Sequence, residues 1–308
     1  MHTKPGLVVD LVAAEPLVID PIAIEFGTDG RLWVVEMRDY PMGIDGHWNP
    51  GGVIKVLADT DSDGRFDRAT VFMDRLPFPT GVMPWRKGAL ICVAPDILYA
   101  EDTDGDGRAD VVRTVLTGFP TDNYQARVNG LALGLDNWVY GANTMSGGTI
   151  KGLNRALEPV EIRSNDFRFQ PDTGVVEAAS GRTQFGRGRD DWDNWFGCHN
   201  SNPVLHFPMP EQYARRNPHV AMPPSTVFLP DDRAQNRVFP LAEPVRRFNH
   251  PGQLNYITAG CGLGIYRDTL LGGEFEGNVF VCESVHAVVT RLQLFPRGAT
   301  FDASRADD

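Results

Sequence analysis

The sequence has no apolar run long enough to cross a lipid bilayer. Its longest apolar stretch near the start, residues 6–26, is interrupted by Asp10, Glu15 and Asp20, whereas a membrane helix needs about 18–20 consecutive apolar residues. The same acidic residues break up any signal-peptide core. The sequence therefore predicts neither a membrane span nor an export signal within its 308 residues.

Cysteine is scarce, and the four cysteines lie far apart, at positions 92, 198, 261 and 282. No pair has the Cys-x-x-Cys spacing, which excludes zinc-ribbon, thioredoxin-like and haem-attachment motifs. Cys261 and Cys282 lie in two strand-like runs that are close in sequence. They would suit a disulfide in an oxidising compartment, and two buried free thiols are the alternative.

Motifs of nucleotide, zinc and ester chemistry are also missing. The sequence has no G-x-x-x-x-G-K-[ST], H-E-x-x-H or G-x-S-x-G segment, which disfavours P-loop NTPases, zinc proteases and α/β-hydrolases. The glycines of Gly260–Gly264 do not open a recognisable helix, so a nicotinamide dehydrogenase is disfavoured too. Lysine and arginine are scattered and the formal net charge is −11, so nucleic acid is not an expected partner.

The residues that are abundant indicate a turn-rich globular protein. Hydrophobic residues make up 42% of the chain, enough for a sizeable core, and 32 glycines with 23 prolines favour short elements joined by many turns. Two hairpins are predicted, because β-rich runs flank Asp-Gly within residues 22–35 and Asp-Asn within residues 130–140. Helical periodicity is confined to residues 211–216. We predict an all-β protein in which residues 180–250 form a long, Pro-rich, irregular insertion.

An aspartate-rich segment occurs twice. DTDSDGRFD at residues 59–67 matches DTDGDGRAD at residues 102–110, which is 43 positions further on, and strand-like runs flank each copy. A period in the forties built of β-hairpins is typical of a β-propeller blade. Alternating carboxylates around a glycine turn predict two Ca²⁺ sites; flanking strands exclude an EF-hand, and solvated acidic turns are the alternative. The predicted ligands are Asp59, Asp61, Asp63 and Asp67 in one site and Asp102, Asp104, Asp106 and Asp110 in the other.

Longer motifs resemble a known bacterial family. They are LVAAEPLV at residues 11–18, GRLWVVEM at 30–37, VNGL at 128–131, QFGR at 184–187 and GNVFVCE at 277–283. Together they resemble the membrane-bound dehydrogenase domain family, which is similar to the soluble quinoprotein glucose and sorbosone dehydrogenases. The resemblance implies a six-bladed β-propeller. Residues 1–308 would form a single domain with about five to six blades. This domain would be incomplete at its C-terminus, because the family continues into at least one more blade.

The resemblance also implies a chemistry. Propellers of this type hold pyrroloquinoline quinone and Ca²⁺ in the central channel and oxidise sugars or alcohols. Many relatives append a c-type cytochrome module, which this chain lacks, so a cytochrome c is an implied electron acceptor. Calcium loops of the weak extracellular type, with dissociation constants of about 10⁻⁴–10⁻³ M, favour a periplasmic or extracellular location.

Such a reaction needs a general base, and histidine is the usual one because its ordinary pKa lies near neutrality. The resemblance places a histidine just before Arg-Val-Asn-Gly, where this chain has Ala126. We predict that His199, in a Trp- and Asn-rich loop, substitutes as the base, with Arg127 and Asn129 completing the catalytic set. A surface or packing role is the alternative for His199. The weaker histidine candidates are His206 and His250.

The predicted cofactor ligands are Arg187, Trp192 and Trp195. Arg127 and Arg187 could bind quinone carboxylates bidentately, and the indole rings could stack on a planar cofactor or a sugar. Pairing with aspartates such as Asp190 and packing between blades are the alternatives. The rival function is a non-catalytic, Ca²⁺-stabilised propeller that binds a glycan or a protein, which Ala126 favours; a Ca²⁺-dependent lactonase is a third hypothesis.

Overall fold

The structure is a computed structural model that describes residues 5–153, 156–217, 219–222, 224–239 and 255–306. Its strands are β1 (Pro21–Phe26), β2 (Leu32–Glu36), β3 (Gly52–Ala58), β4 (Arg68–Leu76), β5 (Gly81–Trp85), β6 (Gly88–Val93), β7 (Asp96–Glu101), β8 (Val111–Thr117), β9 (Asn129–Leu133), β10 (Val139–Ala142), β11 (Thr149–Gly152), β12 (Val160–Glu161), β13 (Asp166–Gln170), β14 (Val175–Ala179), β15 (Arg187–Arg189), β16 (Trp195–His199), β17 (Asn202–His206), β18 (Val227–Leu229), β19 (Gly260–Ile265), β20 (Val279–Glu283), β21 (Val288–Arg297) and β22 (Thr300–Arg305). The helical elements are α1 (Glu211–Ala214) and a 3₁₀ turn at Arg233–Asn236.

These strands form five sheets. Four sheets have four strands each, in the orders β1-β2-β3-β4, β14-β13-β10-β9, β15-β16-β17-β18 and β19-β20-β21-β22, and the remaining sheet has the order β12-β11-β8-β7-β6-β5. Neighbouring strands are therefore mostly consecutive in the chain, as short connections favour. The all-β prediction is confirmed. No helix among the described residues is long and apolar enough to cross a membrane.

Both predicted hairpins form where the turn residues indicated. β1 pairs with β2 in antiparallel register around Gly30, which has a φ of 79°, and β9 and β10 flank Asn137, which has a φ of 62°. Glycine and asparagine are the residues that tolerate this left-handed conformation best. The Asp-Gly and Asp-Asn signals therefore located real turns.

The irregular insertion predicted for residues 180–250 is wrong over much of its length. It contains β15, β16, β17 and β18, a complete four-stranded sheet between Arg187 and Leu229. The strand signal was weak because β15 and β18 have only three residues each and prolines lie between them. Residues 240–250 lie outside the described part of the chain.

Internal contacts divide the chain into two compact units. The first unit comprises Met1–Leu131, Ser146–Glu161 and Gln170–Val176, and the second comprises Ala132–Met145, Ile162–Phe169 and Glu177–Asp308. Each has its own apolar core. In the first unit Trp33, Ile54, Phe72 and Ile91 pack together, and in the second Phe196, Val204, Leu263, Val279 and Leu292 do so. Burial of these side chains supplies the main favourable term in folding each unit.

Candidate functional site

Three strands that are second in their sheets end in a polar residue. These residues are Glu36 at the end of β2, His199 at the end of β16 and Glu283 at the end of β20. Glu36 accepts a hydrogen bond from the backbone N–H of Ile19 at 2.8 Å. Glu283 accepts bonds in the same way from the N–H groups that precede β19. In both sheets, a buried carboxylate at the end of the second strand therefore binds the backbone just before the first strand and fixes its position.

In the second unit, Glu283 also orients His286. One carboxylate oxygen accepts from the N–H groups of Thr258 at 3.1 Å and Ala259 at 2.8 Å. The other lies 2.7 Å from Nδ1 of His286 and accepts the backbone N–H of the same residue at 2.6 Å. Because an ionised carboxylate only accepts, Nδ1 carries a proton, and in the neutral imidazole the lone pair is therefore on Nε2. Nε2 has no hydrogen-bond partner among the described residues.

The electrostatics of this dyad favour an ionised Glu283. Burial alone would raise the pKa of Glu283, but the donors from His286 and Thr258 outweigh it and hold the pKa below its ordinary value. Both side chains are buried, with 3% exposure for His286 and 0% for Glu283. A carboxylate that orients an imidazole through Nδ1 and leaves Nε2 unpaired is the arrangement of a general base.

His199 belongs to the neighbourhood of this dyad. Gly260 lies opposite Glu283 in the β19–β20 ladder and donates its N–H to the carbonyl of Asn200 at 3.0 Å. A Cβ at Gly260 would lie 3.0 Å from the carbonyl oxygen of His199, so the close approach of the strands requires glycine. Burial, and then the charge of Arg182, lower the pKa of His199. The backbone at the predicted base His199 therefore contacts Gly260, the register partner of Glu283.

A cavity of about 370 Å³ lies in the second unit beside the β16–β17 turn. Its lining is Ser201, Asn202, Phe228, Pro230, Asp231, Asn236, Tyr256 and Ile257. The Oδ1 atom of Asn236 is buried there without a hydrogen-bond partner. Ile257 precedes Thr258, which hydrogen-bonds Glu283. Mixed polar and aromatic lining of this volume suits a small polar organic molecule.

Arg127 and Asn129 lie in the first unit. Asn129 donates from Nδ2 to the carbonyl of Arg127 at 2.9 Å, and Arg127 donates from Nη2 to the carbonyl of Thr121 at 3.1 Å. The Nε of Arg127 and the Oδ1 of Asp39 are both buried without a hydrogen-bond partner. Burial lowers the pKa of Arg127, and the charge of Asp39 opposes that shift. Arg127 Nε is a donor and Asp39 Oδ1 is an acceptor, so each atom has the chemistry to bond to a hydroxyl group.

Aromatic side chains pack around these two groups. Tyr124 contacts Phe78 at 5.7 Å, Tyr40 at 5.5 Å and Trp48 at 5.9 Å between ring centroids. Tyr40 and Trp48 are exposed, with 46% and 58% of their surface accessible. We call Tyr40, Trp48, Phe78 and Tyr124 the aromatic shelf. Rings of this kind offer an apolar face to a ligand and a polar tip to water.

Arg187 has a structural partner, and it is Asp166, not Asp190. Its Nη1 donates to the Asp166 carboxylate and to the carbonyl of Ser180 at 3.0 Å, with only 1% of the side chain exposed. Burial lowers the pKa of Arg187 and raises that of Asp166, and each charge opposes the shift of the other. The guanidinium also lies 4.9–5.5 Å from the rings of Tyr140, Trp195 and Phe207.

The predicted cofactor ligands therefore do not form one open surface. Trp195 is buried against Tyr140, with ring centroids 4.2 Å apart, and takes part in the aromatic surroundings of Arg187. Trp192 is 80% exposed in the turn between β15 and β16. Asp190 accepts hydrogen bonds from the turn itself, from the N–H groups of Trp192 and Asn194 at 2.9 Å each. Cofactor binding by Trp192 and Trp195 stays a prediction, whereas Arg187 is already paired with Asp166.

The two remaining histidine candidates are His206 and His250. His206 is 1% exposed, its Nδ1 lies 2.8 Å from the hydroxyl of Thr300, and its Nε2 is buried without a partner. Burial lowers the pKa of His206 to about 4. This residue is held neutral within the sheet. His250 lies outside the described residues.

The two aspartate loops have the same local geometry. Asp59 accepts the N–H groups of Ser62 at 2.7 Å and Gly64 at 2.9 Å, and Asp102 accepts those of Gly105 at 2.7 Å and Gly107 at 2.8 Å. In each loop the first three aspartates, 59, 61 and 63 or 102, 104 and 106, bring carboxylate oxygens within 4.8 Å of one another.

The fourth predicted ligand of each loop has a different partner. Asp67 accepts the hydroxyl and N–H of Thr60, and Asp110 accepts those of Thr103. These two aspartates close the base of the loop and are not part of the carboxylate groups just described. Ca²⁺ binding stays a prediction, and the geometry supports three side-chain ligands per loop more directly than four.

The sequence reasoning missed Asp39, Asp166, Glu283 and His286. Glu283 carried a usable signal, because a carboxylate after an apolar run (Val279–Val281, then Cys282) has to be partnered in the fold. His286, three residues later, could have been selected as that partner. Asp39 and Asp166 carry no such signal, since their burial depends on contacts with distant parts of the chain.

A family model described as "Domain of unknown function (DUF7133)" matches residues 1–308. No curated protein matches. Among solved structures, a luciferin-regenerating enzyme superposes with a TM-score of 0.52 at 8% identity, covering 94% of this chain and 76% of that one. This likeness shows a shared fold.

Two further structures superpose less well. A candidate glucose dehydrogenase from Thermus thermophilus gives a TM-score of 0.45 at 14% identity, covering 92% of this chain and 82% of that one. A candidate 6-phosphogluconolactonase from Bacteroides uniformis gives 0.43 at 9% identity, covering 92% and 71%.

Proposed function

The chain belongs to the DUF7133 family, and we propose that it is a β-propeller oxidoreductase that removes hydrogen from a hydroxyl group of a sugar or alcohol. The five sheets, each with at least four strands in mostly sequential order, would be its blades. The observation that carries the proposal is the Glu283–His286 dyad, a buried carboxylate that orients an imidazole whose Nε2 is unpaired among the described residues.

In this proposal His286 is the general base. Nε2 takes the proton of the substrate hydroxyl while the carbon-bound hydrogen leaves as hydride to an acceptor. Glu283 keeps the proton of the imidazole on Nδ1 and stabilises the imidazolium that forms. His199 and Arg182 would bind the substrate from the neighbouring turn, where the charge of Arg182 already acts on His199.

Pyrroloquinoline quinone is the proposed hydride acceptor because of the family resemblance. When bound, it would supply a two-electron acceptor. Its carboxylates need cationic ligands, and Arg187 does not fit that role because Asp166 neutralises it inside the second unit. Ca²⁺ bound by the two aspartate loops is proposed to stabilise the fold. A periplasmic or extracellular location and a cytochrome c electron acceptor complete the proposal.

The test is oxidation of a panel of sugars and alcohols, with Ca²⁺, pyrroloquinoline quinone and a reducible dye. His286→Gln should lower the rate about 10²–10⁴-fold, and Glu283→Gln should lower it and shift its pH dependence. His219→Gln, at an exposed histidine, is the matched control and should change nothing. Melting curves must show that each variant is folded.

A titration with the quinone tests the cofactor separately. A ligand that binds only the folded state raises the melting temperature. If a cooperatively melting protein neither binds the quinone nor oxidises any substrate, the dehydrogenase proposal is refuted.

The second candidate function is a non-catalytic propeller that binds a glycan. The observation that favours it is the aromatic shelf, which offers an exposed apolar face. Beside the shelf, Asp39 Oδ1 and Arg127 Nε are buried without hydrogen-bond partners. Saccharide binding that is lost in Trp48→Ala but kept in His286→Gln, without turnover, would support this function over catalysis.

A further inference from the structure

Two cysteines lie directly opposite each other in the fifth sheet. Cys261 of β19 and Cys282 of β20 are register partners in an antiparallel ladder. The Sγ of Cys261 lies 3.8 Å from the carbonyl oxygen of Cys282. Side chains of directly opposed residues project from the same face of a sheet. Both are free thiols in this structure.

The register satisfies the distance requirement of a disulfide. Opposed residues of antiparallel strands have Cα atoms about 4.5 or 5.5 Å apart, and disulfides form at about 4.4–6.8 Å. The ladder is irregular between Cys261 and Gly264, and Gly262 has a φ of 61°. Cys261 therefore sits at a bulge, where the backbone can adjust to the dihedral angles of the bridge.

The two thiols differ in accessibility in a way that sets the order of reaction. Cys282 is exposed and Cys261 is half-buried, and burial raises the pKa of Cys261. Cys92 and Cys198 are buried, and burial raises the pKa of Cys198 to about 12. A soluble disulfide therefore meets Cys282 first.

We propose that Cys261 and Cys282 are a dithiol that closes reversibly into a cross-strand disulfide next to the Glu283–His286 dyad. The oxidant is a small-molecule disulfide such as oxidised glutathione. The thiolate of Cys282 attacks it, forming a mixed disulfide and releasing one glutathione thiolate. The thiolate of Cys261 then attacks Sγ of Cys282 and releases the second. Two protein thiols are oxidised and one glutathione disulfide is reduced to two thiols.

The position of the bridge links it to the candidate site. Cys282 precedes Glu283, and Cys261 follows Gly260, the register partner of Glu283. The disulfide would covalently join β19 to β20 at the pair that holds the dyad, and it would close the chain segment of residues 262–281 into a loop. Cross-linking of this kind restricts the unfolded chain. The proposal does not depend on which reaction the site performs.

The experiment is a redox titration of the folded 308-residue chain in buffers of reduced and oxidised glutathione, followed by an acid quench, unfolding in denaturant that contains the alkylating reagent, and mass spectrometry. The alkylatable thiols should fall from four, the number of cysteines in the chain, to two. A peptide containing Cys261 joined to Cys282 should appear, dithiothreitol should reverse it, and the oxidised protein should melt at a higher temperature. Cys92→Ser, at a buried thiol, should behave like the wild type.

Cys282→Ser should leave Cys261 alkylatable throughout, and Cys261→Ser should leave Cys282 free or carrying one glutathione. Three results would overturn the proposal: all four thiols of the wild type stay alkylatable in the most oxidising buffer, Cys261 pairs with Cys198 instead, or Cys282 keeps its glutathione while Cys261 stays free. Each is read from the wild-type protein, so the conclusion does not require a variant to fold.

Discussion

Removal of Asp166 should be the most damaging single change to the second unit. Asp166 has no exposed side-chain surface and accepts hydrogen bonds from Arg187 and from the N–H and hydroxyl of Thr183. In Asp166→Ala the guanidinium stays buried, with the carbonyl of Ser180 and three aromatic faces as its remaining partners. An unpaired buried charge is far costlier than a lost surface contact.

The expected magnitude follows from that burial. Breaking a buried pair by removing one partner costs about 3–5 kcal/mol in the free energy of unfolding. For domains of about 150–250 residues this corresponds to roughly 6–20 °C in melting temperature. The assay is urea unfolding followed by circular dichroism, with the melting temperature measured alongside.

The matched control is Asp191→Ala, which removes an ion pair with Arg267 at 2.8 Å whose side chains are 56% and 44% exposed. Exposed pairs contribute about 0–1 kcal/mol. A double variant, Asp166→Leu with Arg187→Met, should recover most of the loss because it leaves no buried charge. An Asp166→Ala variant as stable as the control would refute the reasoning.

Three further predictions concern other parts of the chain. Burial lowers the pKa of His206 to about 4 in the folded protein, so the free energy of unfolding should fall as the pH drops from about 6.5 towards 4, where only the unfolded chain binds the proton. Urea unfolding should show a free energy of unfolding about 1–2 kcal/mol lower at pH 5 than at pH 7. The variant His206→Phe should lack this loss. Gly88→Ala should cost at least about 1–3 kcal/mol in thermal unfolding, because its Cβ would lie 1.8 Å from a strand carbonyl oxygen. Ca²⁺ should raise the melting temperature, and Asp59→Ala with Asp102→Ala should abolish the rise.

Each of these has a control and a contradicting result. An unchanged pH dependence in His206→Phe would assign the acid sensitivity to other groups. Gly273→Ala places its Cβ in open space, so equal loss in the two glycine variants would contradict the steric argument. For the loops, Asp122→Ala, at an exposed aspartate outside them, should respond to Ca²⁺ like the wild type. An equal response of the double loop variant would refute cation binding there.

Turn chemistry and alternation were readable from the sequence. Strand-like runs were predicted on both sides of the two aspartate loops, and the loops lie between β3 and β4 and between β7 and β8. Residues 211–216 were predicted to be helical and contain α1. These features depend on neighbours in sequence, through φ preferences and hydrophobic periodicity. The sheet of β15–β18 was missed because its edge strands are too short to show a period.

In the candidate site, too, some features were predictable from the sequence and others depended on the tertiary structure. The sequence by itself determined that the chain is all-β and that the two aspartate loops repeat. It placed His199 in a loop, whereas the structure places this residue at the end of β16. The pairing of Asp166 with Arg187, the Glu283–His286 dyad and the opposition of Cys261 and Cys282 were decided by the tertiary structure. Strand register fixes which distant residues face each other, and burial sets how strongly a charge or a bound proton changes stability or reactivity. Register and burial depend on contacts between distant residues, so they do not follow from local sequence preference.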